Sequence, residues 1–102
     1  MNVGCDIVEN KRLKNKKQSF INYVLTNKEQ EEYQKKGLPY LTGRFAAKEA
    51  IMKCLKNTKE LTYLDIEILN NKDGEPITNI KNIKLSISHE KNYTIAVALK
   101  IK

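Results

Sequence analysis

Two acids and a short basic run are the residues of this chain whose types and spacing could do chemistry. Asp6 interrupts the apolar segment Val3, Cys5, Ile7 and Val8. A carboxylate there must be paired, bound to a metal or placed at an open strand end, because burying it alone is too costly. Arg44, Lys48, Glu49 and Lys53 follow on one segment. Their i, i+4 and i, i+5 spacings are expected to keep the cations near one side of a helix. An acid beside cations, with a second acid on a nearby strand, suits a divalent cation bridging a phosphorylated substrate. The same residues admit a plainer reading, with Asp6 in a salt bridge or cap and Glu49 in a surface pair with Lys53 worth roughly a few tenths of a kcal/mol. The one histidine is His89. A triad with Ser86 or Ser88 has poor geometry, since adjacent strand residues face opposite ways.

The elements that must hold these residues follow from periodicity. Val3, Cys5 and Ile7 alternate with Gly4 and Asp6, predicting a first strand that ends near Glu9 and places Asp6 on the face opposite Ile7. Leu13, Phe20, Ile21, Val24 and Leu25 recur among Lys11, Arg12, Lys14, Lys16 and Lys17, predicting a basic amphipathic helix over 10–25, ragged in its middle. Thr26 with Glu29 forms a capping-box signature, so a second helix is expected to run to about Lys36. Gly37-Leu38-Pro39 then breaks the chain, and a third helix is expected from about Tyr40 to Asn57, with Phe45, Ala46, Ala50, Ile51, Cys54 and Leu55 buried. Strand patterns follow at Leu64 to Leu69, Ile83 to Ser88 and Tyr93 to Ile101, with a tight turn at Asp73-Gly74. This order gives an α+β fold with helices packed on a largely antiparallel sheet, in a single domain spanning 1–102.

Composition bounds the partners. In 102 residues, Lys+Arg 19 against Asp+Glu 12 gives a net charge of +7, which favours an anionic partner. Only Arg12 and Arg44 are arginines, and a guanidinium fork binds phosphate bidentately where ammonium acts as a point charge. No apolar run approaches the roughly 20 residues of a membrane span, so no membrane partner is expected. The five Tyr are dispersed and no RNA- or DNA-binding signature occurs, so no nucleic-acid partner is expected either. Cys5 and Cys54 lack metal or disulfide-scaffold spacing, and the N-terminus lacks the pattern of a signal peptide, which together point to a reducing cytoplasm.

Five blocks in order resemble holo-acyl-carrier-protein synthase, the short trimeric type of 4′-phosphopantetheinyl transferase. They are Gly4-Cys5-Asp6-Ile7-Val8-Glu9; Gly43-Arg44-Phe45-Ala46-Ala47-Lys48-Glu49-Ala50 with Lys53; Asp65-Ile66-Glu67-Ile68; Gly74-Glu75-Pro76; and Ser86-Ile87-Ser88-His89. The resemblance implies transfer of 4′-phosphopantetheine from coenzyme A to a serine of apo-acyl-carrier protein, releasing adenosine 3′,5′-bisphosphate. It further implies a magnesium-dependent homotrimer with active sites between subunits. By position, Asp6 and Glu49 match the Mg2+ ligands and Lys53 a catalytic cation near the pyrophosphate. Arg44, Lys48 and Lys53 match coenzyme A phosphate contacts. Gly74 and Pro76 match a turn near the adenine, and Ser88 with His89 a strand end near the ribose 3′-phosphate. A metal-associated water or Glu49 is expected to accept the proton of the attacking serine. Arg12, Lys16 and Phe20 match the surface that receives the acidic carrier protein.

Two departures from the family stand out. Lys56-Asn57-Thr58-Lys59-Glu60 has no glycine where relatives carry a glycine-rich loop, and Asn10 replaces an expected aliphatic residue. The alternative these leave open is a non-catalytic homologue that only binds carrier protein.

Overall fold

A computed structural model describes residues 2–56 and 60–101. Strand β1 (Asn2–Glu9) leads through a 3-10 turn (Asn10–Leu13) into α1 (Gln18–Val24), α2 (Asn27–Lys36) and α3 (Leu38–Cys54). A second 3-10 turn (Tyr63–Asp65) precedes β2 (Ile68–Asn70), β3 (Pro76–Thr78), β4 (Ile83–His89) and β5 (Tyr93–Lys100). The main sheet is antiparallel in the order β1-β5-β4, and β2-β3 form a separate antiparallel pair. The α+β expectation is met.

Helix α3 lies across β1, β5 and β4. Ala46, Ala47 and Ala50 are wholly buried against the sheet, where Ala96 and Ala98 of β5 are buried in turn. Small residues on both sides let the backbones close up, and Gly4 completes this: a Cβ there would stand 2.0 Å from the Ala50 carbonyl oxygen. Any side chain at Gly4 would force β1 off the helix. Leu41, Ile51, Val24, Leu25, Ile66 and Ile68 fill the remaining core.

Local chemistry explains where the elements begin and end. The capping box is present, with Glu29 N–H donating to Thr26 Oγ1 at 3.3 Å and Thr26 N–H to Glu29 Oε1 at 2.8 Å. Gly37 ends α2 in the left-handed region (φ 75°), and Pro39 sits in the first turn of α3, where its missing N–H is harmless. The single basic helix expected over 10–25 is divided. Asn15 adopts φ 61°, a left-handed conformation that asparagine tolerates and a helix does not. The strand expected at Leu64–Leu69 begins only at Ile68, because Asp65 Oδ2 accepts from Thr62 N–H at 2.8 Å and winds 63–65 into a turn. The Asp73-Gly74 turn forms, with Gly74 at φ 86° and its N–H donating to Asn71 O.

Candidate functional site

The seam between β1 and α3 gathers three of the predicted site residues. Asp6 faces the helix because its strand neighbours alternate: Val3, Cys5 and Ile7 are exposed on the outer face, and Asp6 is paired in register with buried Ala96. Lys53, in the last turn of α3, donates to Asp6 Oδ1 at 3.0 Å and to the Cys5 carbonyl at 3.0 Å. One turn earlier, Glu49 accepts a hydrogen bond on Oε2 from the Tyr63 hydroxyl. Burial first, then the Glu49 hydrogen bond and the charges of Glu49 and Asp6, push the Tyr63 phenol well above its ordinary range. Tyr63 therefore stays protonated and donates, and both carboxylates bear on it. The i, i+4 pairing expected between Glu49 and Lys53 is replaced by these two partners.

Arg44 belongs elsewhere. It lies nine positions before Lys53, about two and a half turns, so the two leave opposite faces of α3. The expectation that Arg44, Lys48 and Lys53 share one side fails on that geometry. Arg44 is buried, donating from Nε to the Ile68 carbonyl at 2.9 Å and from Nη2 to Asn70 Oδ1, with its guanidinium 4.1 Å from the Tyr40 ring centroid. With Lys36, Pro39, Asn70 and His89 it lines a cleft of about 210 Å³ on the other flank of the helix. His89 lies beside Arg44 in this cleft, and burial, then the Arg44 charge, hold its pKa below the usual value.

Lys48 is corrected outright. It is fully buried, and its ammonium donates to Glu29 Oε1 at 2.6 Å, the Val24 carbonyl at 2.7 Å and the Tyr63 carbonyl at 3.0 Å. All three donors are spent inside the protein, so Lys48 cannot reach a coenzyme A phosphate. Its partner Glu29 is equally buried and accepts a further hydrogen bond on Oε2 from Ile68 N–H at 2.7 Å. Burial lowers the Lys48 pKa while Glu29 opposes the shift.

The remaining predicted residues divide. Gly74 borders a cavity of about 530 Å³ together with Tyr40, Arg44, Asn70 and Lys72. Pro76, opening β3, instead lines a groove between β3 and β4. Ser88 does not join His89, because strand alternation turns it to the outer face, in register with exposed Ile95. Arg12 and Lys16 are exposed, and the Lys16 ammonium sits 5.0 Å over the Phe20 ring. Phe20 tilts against Phe45 at 6.1 Å, and Phe45 against Tyr63 at 5.6 Å. An aromatic line thus runs from the basic surface to the Glu49 carboxylate. The expectation about the glycine-free loop falls mostly on residues 57–59, outside the described residues.

Tyr63, Glu29 and the pair Asn10–Thr94 are missed by sequence reading. Tyr63 had a signal, the Thr62-x-x-Asp65 cap that turns it toward α3. The others act across long sequence separations that no local pattern reports.

The donor set fits a hard cation. Among the described residues no group of three or more His, Cys, Asp or Glu side chains gathers, so Asp6 and Glu49 would leave most positions to water and phosphate oxygens. Mg2+ favours that arrangement.

Comparison with known proteins is consistent across sequence and structure. A family described as the 4′-phosphopantetheinyl transferase superfamily matches residues 2–98. A holo-[acyl-carrier-protein] synthase of Mycoplasma mycoides subsp. mycoides is 45% identical over 102 residues, covering 97% of this chain and 93% of its own. The crystal structure of a holo-(acyl-carrier-protein) synthase from Bacillus anthracis in complex with CoA (3′,5′-ADP) superposes with TM-score 0.86 at 35% identity, covering 95% of this chain and 92% of that one. The Helicobacter pylori holo-[acyl-carrier-protein] synthase in complex with coenzyme A gives 0.84 at 30% identity, covering 95% and 97%.

Proposed function

The chain belongs to the 4′-phosphopantetheinyl transferase superfamily, and from that premise we propose that it moves 4′-phosphopantetheine from coenzyme A to a serine hydroxyl of apo-acyl-carrier protein, leaving adenosine 3′,5′-bisphosphate. The observation that carries this reading is the convergence of Asp6, Glu49 and Lys53 on one seam. Residues 1–102 act as one transferase domain. A binding-only homologue would have no use for this machinery.

Asp6 and Glu49 would hold Mg2+, which when bound neutralises the pyrophosphate and stabilises the leaving bisphosphate. Lys53, anchored by Asp6 and the Cys5 carbonyl, presents its positive charge to the same phosphates. Tyr63 fixes the Glu49 carboxylate through Oε2 and leaves Oε1 to face the cation, so a water beside the two carboxylates would accept the serine proton as attack proceeds. Arg44 and His89 receive the 3′-phosphoadenosine end, with Gly74 bordering the adjoining cavity. The carrier protein docks on Arg12, Lys16 and Phe20, and the Phe20–Phe45–Tyr63 line leads its serine toward Glu49.

The two ends of coenzyme A are served by opposite faces of α3. One molecule is therefore held by two copies, the carboxylates from one and the Arg44 cleft from its neighbour, in a homotrimer. The outer sheet face supports assembly: Val3 and Ile7 are 64% and 62% exposed, beside Tyr93, Ile95 and Val97. A contiguous apolar patch of this kind marks an interface, and a monomeric mass on gel filtration would contradict the trimer. The compartment is the cytoplasm, in keeping with two unpaired cysteines; none of the described helices is long and apolar enough to cross a membrane.

The reaction is tested by following adenosine 3′,5′-bisphosphate. Release should require coenzyme A, Mg2+ and apo-carrier protein together. Release without carrier would indicate a hydrolase, and no release a binding protein.

A further inference from the structure

Each carboxylate in the seam between β1 and α3 has one oxygen already engaged by the protein. Lys53 Nζ donates to Asp6 Oδ1 at 3.0 Å, and the Tyr63 hydroxyl donates to Glu49 Oε2. At neutral pH a phenol carries its proton and a carboxylate only accepts, so the direction of the second bond is fixed. The two engagements differ in firmness. Lys53 is 54% exposed on a flexible stem and can let go. Tyr63 cannot swing away. Its ring stands edge-on to Tyr23 with centroids 5.5 Å apart and tilts against Phe45 at 5.6 Å. Its carbonyl accepts from the buried Lys48 ammonium at 3.0 Å. The turn that carries it is closed where Asp65 Oδ2 accepts from Thr62 N–H at 2.8 Å and from Thr62 Oγ1 at 3.1 Å. Side chain and main chain are held independently, so the hydroxyl stays on Oε2.

We propose that Tyr63 is a positioning residue that restricts Glu49 to one ligating oxygen, Oε1, and thereby makes the seam select a small octahedral divalent cation against Ca2+. Ca2+ takes roughly six to eight oxygens at about 2.3–2.6 Å and readily uses both oxygens of one carboxylate. Mg2+ demands near-octahedral geometry at about 2.0–2.1 Å, which the narrow bite of a chelating carboxylate breaks. Chelation by Glu49 would disrupt its bond to the phenol, a penalty that falls on Ca2+ and not on Mg2+. Among the described residues no third acid joins Asp6 and Glu49, so the larger cation finds no substitute carboxylate. Outer groups that orient a ligand commonly tune a metal site in this way. The inference rests on the transferase reading only for the presence of a cation at this seam.

Mn2+ serves as a paramagnetic probe, because its free concentration is read from its electron paramagnetic resonance signal. Mg2+ and Ca2+ are each titrated into the protein with Mn2+ and coenzyme A, against Mn2+ and coenzyme A alone, to give the ratio of their affinities. Tyr63→Phe keeps the ring and removes the hydroxyl. The ratio should then move toward Ca2+ by about tenfold, the scale of one hydrogen bond, with Mg2+ affinity changing much less. An unmoved ratio overturns the proposal, and so does an equal loss of both cations, which would make Tyr63 a structural residue only. Infrared difference spectra of the unsubstituted protein with ¹³C-labelled glutamate give a reading that needs no variant. The asymmetric and symmetric carboxylate stretches lie far apart for one ligating oxygen and close together for two. Addition of Ca2+ should give the wide separation, and the narrow one overturns the proposal whether or not Tyr63→Phe folds. If the protein with coenzyme A holds no Mn2+ at all, the transferase reading falls together with the proposal. Mn2+ held by the protein with an unmoved ratio overturns the selectivity alone.

Discussion

The Lys53 ammonium lies 3.0 Å from Asp6 Oδ1, joining the last turn of α3 to the middle of β1 at the point where Gly4 lets the two backbones touch. The contact sets a carboxylate, a cation and the Glu49–Tyr63 pair along one line of approach. Asp6→Ala and Glu49→Ala should each lower Mg2+-dependent transfer by at least about a hundredfold, the scale on which a preorganised charge stabiliser acts. Far-UV circular dichroism should be unchanged in both. Full activity in either variant would remove that residue from the site.

Lys48 stands five positions before Lys53, yet its substitution should read out as stability. Lys48→Met strands the Glu29 carboxylate in the core, a loss of about 3–5 kcal/mol. Adding Glu29→Gln should recover part of it, since the uncompensated charge is then gone. Urea unfolding measures both steps. A Lys48→Met protein of unaltered stability but raised KM for coenzyme A would restore the phosphate role that burial denies it.

His89 makes a pH prediction with a definite sign. Burial and then Arg44 depress its folded pKa below the ordinary 6.5. Between that depressed value and 6.5 the unfolded chain binds the extra proton and the folded chain does not, so this group's contribution to stability rises with pH across the window. Below the folded pKa both states are protonated, and the stabilisation is absent. Comparing pH-dependent unfolding of the protein with that of His89→Gln isolates the contribution. The difference should grow from acid toward pH 6.5, and a difference falling with pH would mean a raised pKa.

Carrier docking should depend on salt. Arg12 and Lys16 are exposed, and the Lys16 ammonium lies over the Phe20 ring. Raising ionic strength screens the approach of an acidic partner. KM for carrier protein should therefore rise several-fold while KM for coenzyme A changes less, and Arg12→Ala should flatten the salt dependence. Equal effects on both substrates would argue against docking on this surface.

Periodicity and capping made much of the architecture legible. Thr26 and Glu29 announce α2, alternation puts Asp6 on the helix side of β1, and the alanines of α3 foretell close packing on a sheet. What stayed hidden depends on distance along the chain. Glu29 reads as a cap residue, and nothing near it in sequence reveals that Lys48, nineteen positions on, completes a buried pair. Thr94 and Asn10, 84 positions apart, likewise become partners only when β1 and β5 align. Arg44 and Lys53 illustrate a different error: each short spacing on α3 keeps neighbours close, but their sum carries the second cation to the far face. That divergence is the ground on which a site shared between two copies is proposed.

The most direct test of the account is the mass of the carrier protein. After incubation with this protein, coenzyme A and Mg2+, intact-mass spectrometry of apo-acyl-carrier protein should show one added 4′-phosphopantetheine, located on a serine by fragmentation. The addition should be absent with Glu49→Ala. An unmodified carrier under conditions where the protein is folded and binds coenzyme A would contradict the account.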